Sequence, residues 1–256
     1  MPRALITGGT VGIGHAFATA LAAKGYDLVL ASRDEEGLTA VAAQLSETHQ
    51  IQVEVIPTDL AKREQVFALA QRLEDSSLPP LDLLINNAGF AVHDSLLVED
   101  ISIHARAIDV MCLAVLILSG AAARAMKERG EGAILNVASS SAAITTGNYS
   151  AIKAWVAVYT EGLSNELRGT GVKVMALLPG WVKTEFHTRG GVKAHNLPDL
   201  VWIDVDRLVR EALEDLAAGK ILSVPTKRWA FSVGLGHLAP RSAIRWVSRK
   251  LTKSRQ

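Results

Sequence analysis

Short apolar runs alternate with longer helical patterns along most of this 256-residue chain, and that rhythm constrains the fold more than any other feature. Strand-like runs fall at residues 4–7, 28–31, 53–56, 81–85, 133–137, 172–178 and 221–224. Helical stretches lie near 13–24, 35–48, 62–74, 99–128, 150–168 and 204–218, and Gly25, Gly130 and Gly219 stand where helices should stop. Runs apolar at nearly every position belong where both faces of a parallel sheet are covered. The expected fold is therefore α/β, a single-domain, doubly wound parallel sheet of about seven strands with helices on both faces. In such a sheet the ligand crevice lies beyond the carboxyl ends of the strands, so the loops after strands carry the functional reading.

Composition narrows the class. With 49% hydrophobic and 21% charged residues, the chain buries a sizeable core and is neither disordered nor collagenous. A lone cysteine, Cys112, permits no internal disulfide, which fits a reducing, cytoplasmic setting. Residues 1–3 lead straight into a strand with no signal-peptide core, and the longest unbroken apolar run, 110–118, is far short of a membrane span. Net charge is +1, unevenly placed. Residues 226–256 hold eight of the 27 Lys and Arg and no acid, which leaves 19 basic against 26 acidic residues, or −7, over 1–225. That imbalance argues against a nucleic-acid-binding surface. The chain accordingly divides into a body, 1–225, and a basic amphipathic extension, 226–256.

The first strand ends in Thr7-Gly8-Gly9-Thr10-Val11-Gly12-Ile13-Gly14, and a helix follows at once. Glycines allow a tight turn and a close approach of backbone to a pyrophosphate, and a helix N-terminus offers free N–H groups. His15 stands where a mononucleotide P-loop needs its lysine, so a dinucleotide is the expected ligand. The second strand ends in Ala31-Ser32-Arg33. An acidic residue there would accept from the ribose hydroxyl of NAD, whereas Arg33 suits the 2′-phosphate of NADP. The alternative is a solvated arginine pairing with Asp34 or Glu35.

Tyr149 and Lys153 lie at i and i+4 on one helix face. A phenol near pKa 10 is a poor base at neutral pH, and a nearby cation favours the phenolate. Of three tyrosines, this one alone has a lysine four residues on.

Together these segments resemble the short-chain dehydrogenases/reductases. The resemblance rests on Thr7-Gly8-x-x-x-Gly12-Ile13-Gly14, Asp59-Leu60, Asn86-Asn87-Ala88-Gly89, Tyr149-x-x-x-Lys153 and Pro179-Gly180-x-Val182-x-Thr184, in the family's order and spacing over about residues 3–224. It implies a Rossmann-type oxidoreductase that moves a hydride between a nicotinamide and a carbonyl or secondary alcohol. In that pattern Tyr149 is the general acid/base, Lys153 lowers its pKa and binds the nicotinamide ribose, and Ser139 hydrogen-bonds the substrate oxygen. Asp59 and Leu60 hold the adenine. Gly8, Thr10, Gly12, Ile13, Gly14 and Arg33 meet the phosphates, Asn87 and Gly89 line the cofactor, and Pro179, Gly180, Val182 and Thr184 meet its nicotinamide end. NADP(H) is expected over NAD(H), and a small-molecule carbonyl or alcohol as substrate. The uncharged, apolar stretch 110–123 suits the helix face on which the family forms homodimers or homotetramers.

Two departures stand out. Where the family usually carries an asparagine, the run here is Asp109-Val110-Met111, which alters the proton relay. Nine residues separate Ser139 from Tyr149 where about twelve are common, which leaves Ser140 or Ser141 as alternatives to Ser139. These departures motivate a rival reading, a catalytically weak nucleotide sensor or scaffold; the retained Tyr149 and Lys153 favour the enzyme. His15, His93, His187 and His195 show no metal-ligand spacing, and no metal is expected. Residues 180–203 are read as a mobile excursion with Gly190, Gly191 and Pro198. The basic extension is expected to cap the pocket or a partner subunit, the alternative being attachment to an acidic membrane surface.

Overall fold

The apolar runs become strands because each one presents buried side chains to both faces of a sheet. In the computed structural model, which describes residues 1–184 and 201–253, these are β1 (Arg3–Thr7), β2 (Asp27–Ser32), β3 (Val53–Pro57), β4 (Leu83–Asn86), β5 (Gly132–Val137), β6 (Val172–Leu177) and β9 (Leu222–Ser223). All pair in parallel, in the order β3-β2-β1-β4-β5-β6-β9. A short parallel pair, β7 (Trp181–Val182) with β8 (Trp202–Ile203), stands outside this sheet. Of the expected excursion at 180–203, residues 185–200 lie outside the described set, and so do His187 and His195.

Helices α1 (Gly12–Ala22), α2 (Glu35–His49) and α7 (Val205–Ala217) cover one face, where Phe17, Leu21, Leu38, Leu45 and Leu208 join Ile6 and Leu30. On the other face, α3 (Arg63–Glu74), α4 (Ser102–Ile108), α5 (Ala114–Arg129) and α6 (Gly147–Glu166) pack Val66, Leu69, Ala107, Leu118 and Ile152 against Leu5, Val29 and Leu84. The expected helix at 99–128 is a composite, because Asp109–Leu113 form a π-helical turn between α4 and α5. Such turns insert one extra residue into the helical ladder and are frequent at functional sites. The stretch Ser102–Arg129 is long and apolar enough to cross a membrane by length and composition alone, and half of its apolar window is buried inside the fold, as in a core helix.

The basic extension folds as two helices, α8 (Lys227–Leu238) and α9 (Arg241–Lys253). Val233 is buried with Ala138, Ala143 and Val156. The Thr145 amide donates to the Ser248 hydroxyl at 2.9 Å. The extension therefore rests on the segment after β5.

Candidate active site

The chain crosses over at the β1–β4 seam, and there the carboxyl ends of two strands face the same crevice. Gly8, at φ +69°, turns the chain out of β1, and a Cβ there would press on Ala88 and Asn87. Gly14 is tighter still, since a Cβ would meet the Gly8 carbonyl and the Asn87 side chain. Asn87 holds this turn shut. Its Nδ2 donates to the carbonyls of Thr7 (3.0 Å) and Gly8 (3.1 Å). The Thr7 hydroxyl in turn accepts from the amides of Asn87 (3.0 Å) and Ala88 (3.1 Å).

Helix α1 then opens at Gly12, φ +59°, with no side chain capping it and no acid in its first turn. In contrast, Asp34 caps α2 through the Gly37 amide and Asp204 caps α7 through the Arg207 amide. A helix end left without a side-chain cap keeps N–H donors and the positive end of its dipole for an anion. These residues fit a pyrophosphate. Thr184 closes on the loop from the far side, 3.6 Å from where a Gly12 Cβ would lie.

Arg33 is exposed just past β2. Asp34 uses its carboxylate in the cap, so the sequence alternative of an Asp34 partner is not what the structure forms. Arg33 instead faces the field of Asp59. Partial burial tends to raise the Asp59 pKa, but the Ala61 amide, Arg106 and Arg33 outweigh it and hold the carboxyl below its ordinary range. Arg106, on α4, pairs with Asp59 at 2.9 Å. It was not legible in the sequence, since 47 positions separate the pair. Leu60 is buried beneath.

The chemical groups converge after β5. Ser139 leads into one 3-10 turn, Ser140–Ala143, and Gly147, at φ +78°, starts α6 within a few residues. This tight path accommodates the shortened connection. It is Ser139, among the three adjacent serines, whose side chain is hydrogen-bonded to Tyr149. Its oxygen also accepts from the Ser141 amide at 3.1 Å. Lys153 is 4% exposed and donates to the Val137 carbonyl at 2.8 Å, with its Nζ 5.7 Å from the Tyr149 ring centre. The sequence argument favoured a phenolate; in this site desolvation wins. Burial pushes Tyr149 up to about 12 despite the Ser139 bond, and pulls Lys153 down to about 8, partly opposed by Cys112.

Met111 occupies the π turn with its Sδ 3.0 Å from where a Gly89 Cβ would lie, and Lys153 Nζ comes within 3.6 Å of the same point. The thioether therefore fills the ground beside the lysine. Two further residues escaped the sequence reading. His104 is buried, its Nε2 3.1 Å from the Ser95 carbonyl, and its own carbonyl accepts from Asn148, next to Tyr149. Trp229 of α8 lies so close over Gly180 that any Cβ there would enter its ring, and its Nε1 donates to the Val201 carbonyl. Pro179 is tied in as well, through the Ser140 amide at 2.9 Å.

A family model described as short chain dehydrogenase matches residues 2–191. The chain belongs to the short-chain dehydrogenases. An uncharacterized oxidoreductase of Staphylococcus aureus is 39% identical over 184 residues, which are 71% of this chain and 78% of that one. The fold is similar to a short-chain dehydrogenase from Sphingobium yanoikuyae in complex with NADPH, with TM-score 0.83, 33% identity and coverage of 93% and 94% of the two chains. It is also similar to the bulky-bulky ketone specific alcohol dehydrogenase from Comamonas testosteroni, with TM-score 0.80, 27% identity and coverage of 96% and 95%. This short-chain dehydrogenase is thus a nicotinamide-dependent oxidoreductase with a small-molecule substrate, and its Rossmann-type parallel sheet is the expected one.

Proposed function

We propose that this enzyme uses NADP(H) in preference to NAD(H) to interconvert a carbonyl and a secondary alcohol, with Tyr149 as its proton donor. The observation that carries the reading is the buried cluster of Ser139, Tyr149 and Lys153 at the mouth of β5 and α6. When bound, the nicotinamide supplies or accepts the hydride. The chain's own residues handle charge and the proton. A carbonyl carbon that gains hydride leaves negative charge on its oxygen, which the Ser139 hydroxyl and the Tyr149 phenol meet as hydrogen-bond donors. Tyr149 then gives up its proton. Lys153, cationic below about pH 8, stabilises the phenolate left behind. A phenol raised to about 12 by burial is neutral at neutral pH and so carries the proton that the developing alkoxide takes.

Preference for the phosphorylated cofactor rests on Arg33 beside the adenine end and on the absence of an acid at the end of β2. The bound NADPH of the Sphingobium relative agrees with it. Calorimetric titration with NADPH and NADH, then a screen of ketones with Tyr149→Phe as control, tests the whole reading. Tight NADPH, weak NADH and a loss of turnover in Tyr149→Phe on the order of 10²–10⁴-fold, with cofactor affinity retained, are expected. Binding of neither nucleotide overturns the proposal in favour of a fold emptied of its chemistry.

The assembly is proposed as a homodimer or homotetramer through α5 and α6. An open groove of about 740 Å³ runs between α3, α5 and α6, bordered by Phe67, Leu116, Tyr159 and Leu163. Leu116 and Phe67 are exposed there, on helices whose other sides are already buried.

A further inference from the structure

Helices α8 and α9 each bury one side and leave the other to solvent. On α8 the inner side carries Trp229, Val233 and Gly236, which meet Gly180 and Ala143. The outer side carries Phe231, Leu235 and Leu238, at i, i+4 and i+7, and these are 73%, 57% and 87% exposed. On α9 the inner residues are Ile244 and Ser248. At the centre of its outer side stands Trp246, 54% exposed, with Lys250 Nζ 3.9 Å from its ring and Arg249 beside it. The expectation for this extension is a cap over the pocket or a partner subunit, with its basic residues facing water. The structure leaves large apolar side chains, Phe231, Leu235, Leu238 and Trp246, facing water as well.

We propose that the outer face of α8 and α9 docks on an anionic lipid surface. Its chemistry fits that occupant on three counts. The apolar stripe of α8 and Trp246 of α9 insert above the acyl boundary while the long cationic side chains of Lys227, Arg241, Arg245, Arg249 and Lys250, exposed on the same two helices, reach the headgroups. A tryptophan paired with a lysine is at home at the interface between hydrocarbon and water. And with no Asp or Glu anywhere in 226–256, two copies of this face repel each other, whereas an anionic bilayer attracts it and repels the acidic body, which orients the molecule. The proposal rests on this surface alone and is independent of the catalytic reading.

The test floats the full-length protein with vesicles of phosphatidylcholine, and with vesicles in which roughly one-third of the lipid is phosphatidylglycerol. Binding to the anionic vesicles at least about tenfold above the neutral ones is expected, falling with added salt. A triple variant, Phe231→Ser with Leu235→Ser and Trp246→Ser, is expected to abolish it. So is Arg245→Glu with Arg249→Glu and Lys250→Glu. Thermal unfolding and NADPH titration report whether each variant is folded; Leu238→Ser, at the most exposed site of the stripe, serves if the apolar triple does not fold. No binding to anionic vesicles overturns the proposal, as does binding that both triple variants retain. A change in oligomeric state in the apolar variant, with no vesicle capture by the parent, assigns the face to a protein partner instead.

Discussion

At the scale of single residues, Lys153 is the most consequential charge in the molecule. It is buried, and its Nζ donates to the Val137 carbonyl. Its folded pKa is about 8 against an ordinary 10.5, so below pH 8 the native state holds a desolvated cation that the unfolded chain solvates freely. As pH rises from 8 to 10.5 the native state sheds that proton first, and stability rises with pH over this window. Lys153→Met is therefore expected to stabilise the protein at neutral pH by on the order of 1–3 kcal/mol while abolishing turnover. Thermal unfolding of both forms across the window should show the gain vanish towards its upper end. Arg33→Ala makes the complementary prediction at the cofactor. NADPH affinity falls by about ten- to a hundredfold and NADH affinity hardly changes, because a charge-assisted contact to a phosphate is lost and nothing else is. Equal losses for both nucleotides in calorimetry would reduce Arg33 to a surface residue. Tyr149, Lys153 and Ser139 could be read from local spacing and family pattern. Their electrostatics could not, since burial by β5, α5 and α6 sets the shifts and no i, i+4 rule contains it.

Elements come next, and here the buried amides tie the layers together. Asn86 on β4 donates to Ser119 of α5 and to Asn136 of β5, and Asn136 donates to Thr160 of α6, all at 2.9–3.0 Å and all buried. Asn136→Ala strips partners from several enclosed polar groups at once. A loss of about 2–4 kcal/mol in urea unfolding is expected, with the cofactor contacts of β1 untouched. A loss below about 1 kcal/mol would show that water replaces the amide. The strands and most helices were legible because their apolar periodicity is a local property. Composite pieces were not. The π turn at Asp109–Leu113 has no hydrophobic signature distinct from an α-helix, and Trp229 meets Gly180 only because α8 folds back across 49 positions of sequence.

For the whole molecule, the open groove over α3, α5 and α6 is the surface on which copies are expected to meet. Leu116→Arg places a charge in that apolar ground without touching the cofactor crevice on the strand ends. A smaller species by light scattering, with NADPH binding intact, is the expected outcome; an unchanged mass would send the search for the interface elsewhere. The order of the sheet has its own consequence, for how the molecule comes together in time. β1 is made well before β4, yet its β4 neighbour pairs Ala4 with Leu83, and the side chain that latches the glycine turn is Asn87. A nascent chain that stops short of β4 would carry every glycine of the turn and nothing to hold it in shape. Nucleotide affinity is then acquired abruptly during synthesis, when the fourth strand arrives, and a series of stalled chains of increasing length would locate that step.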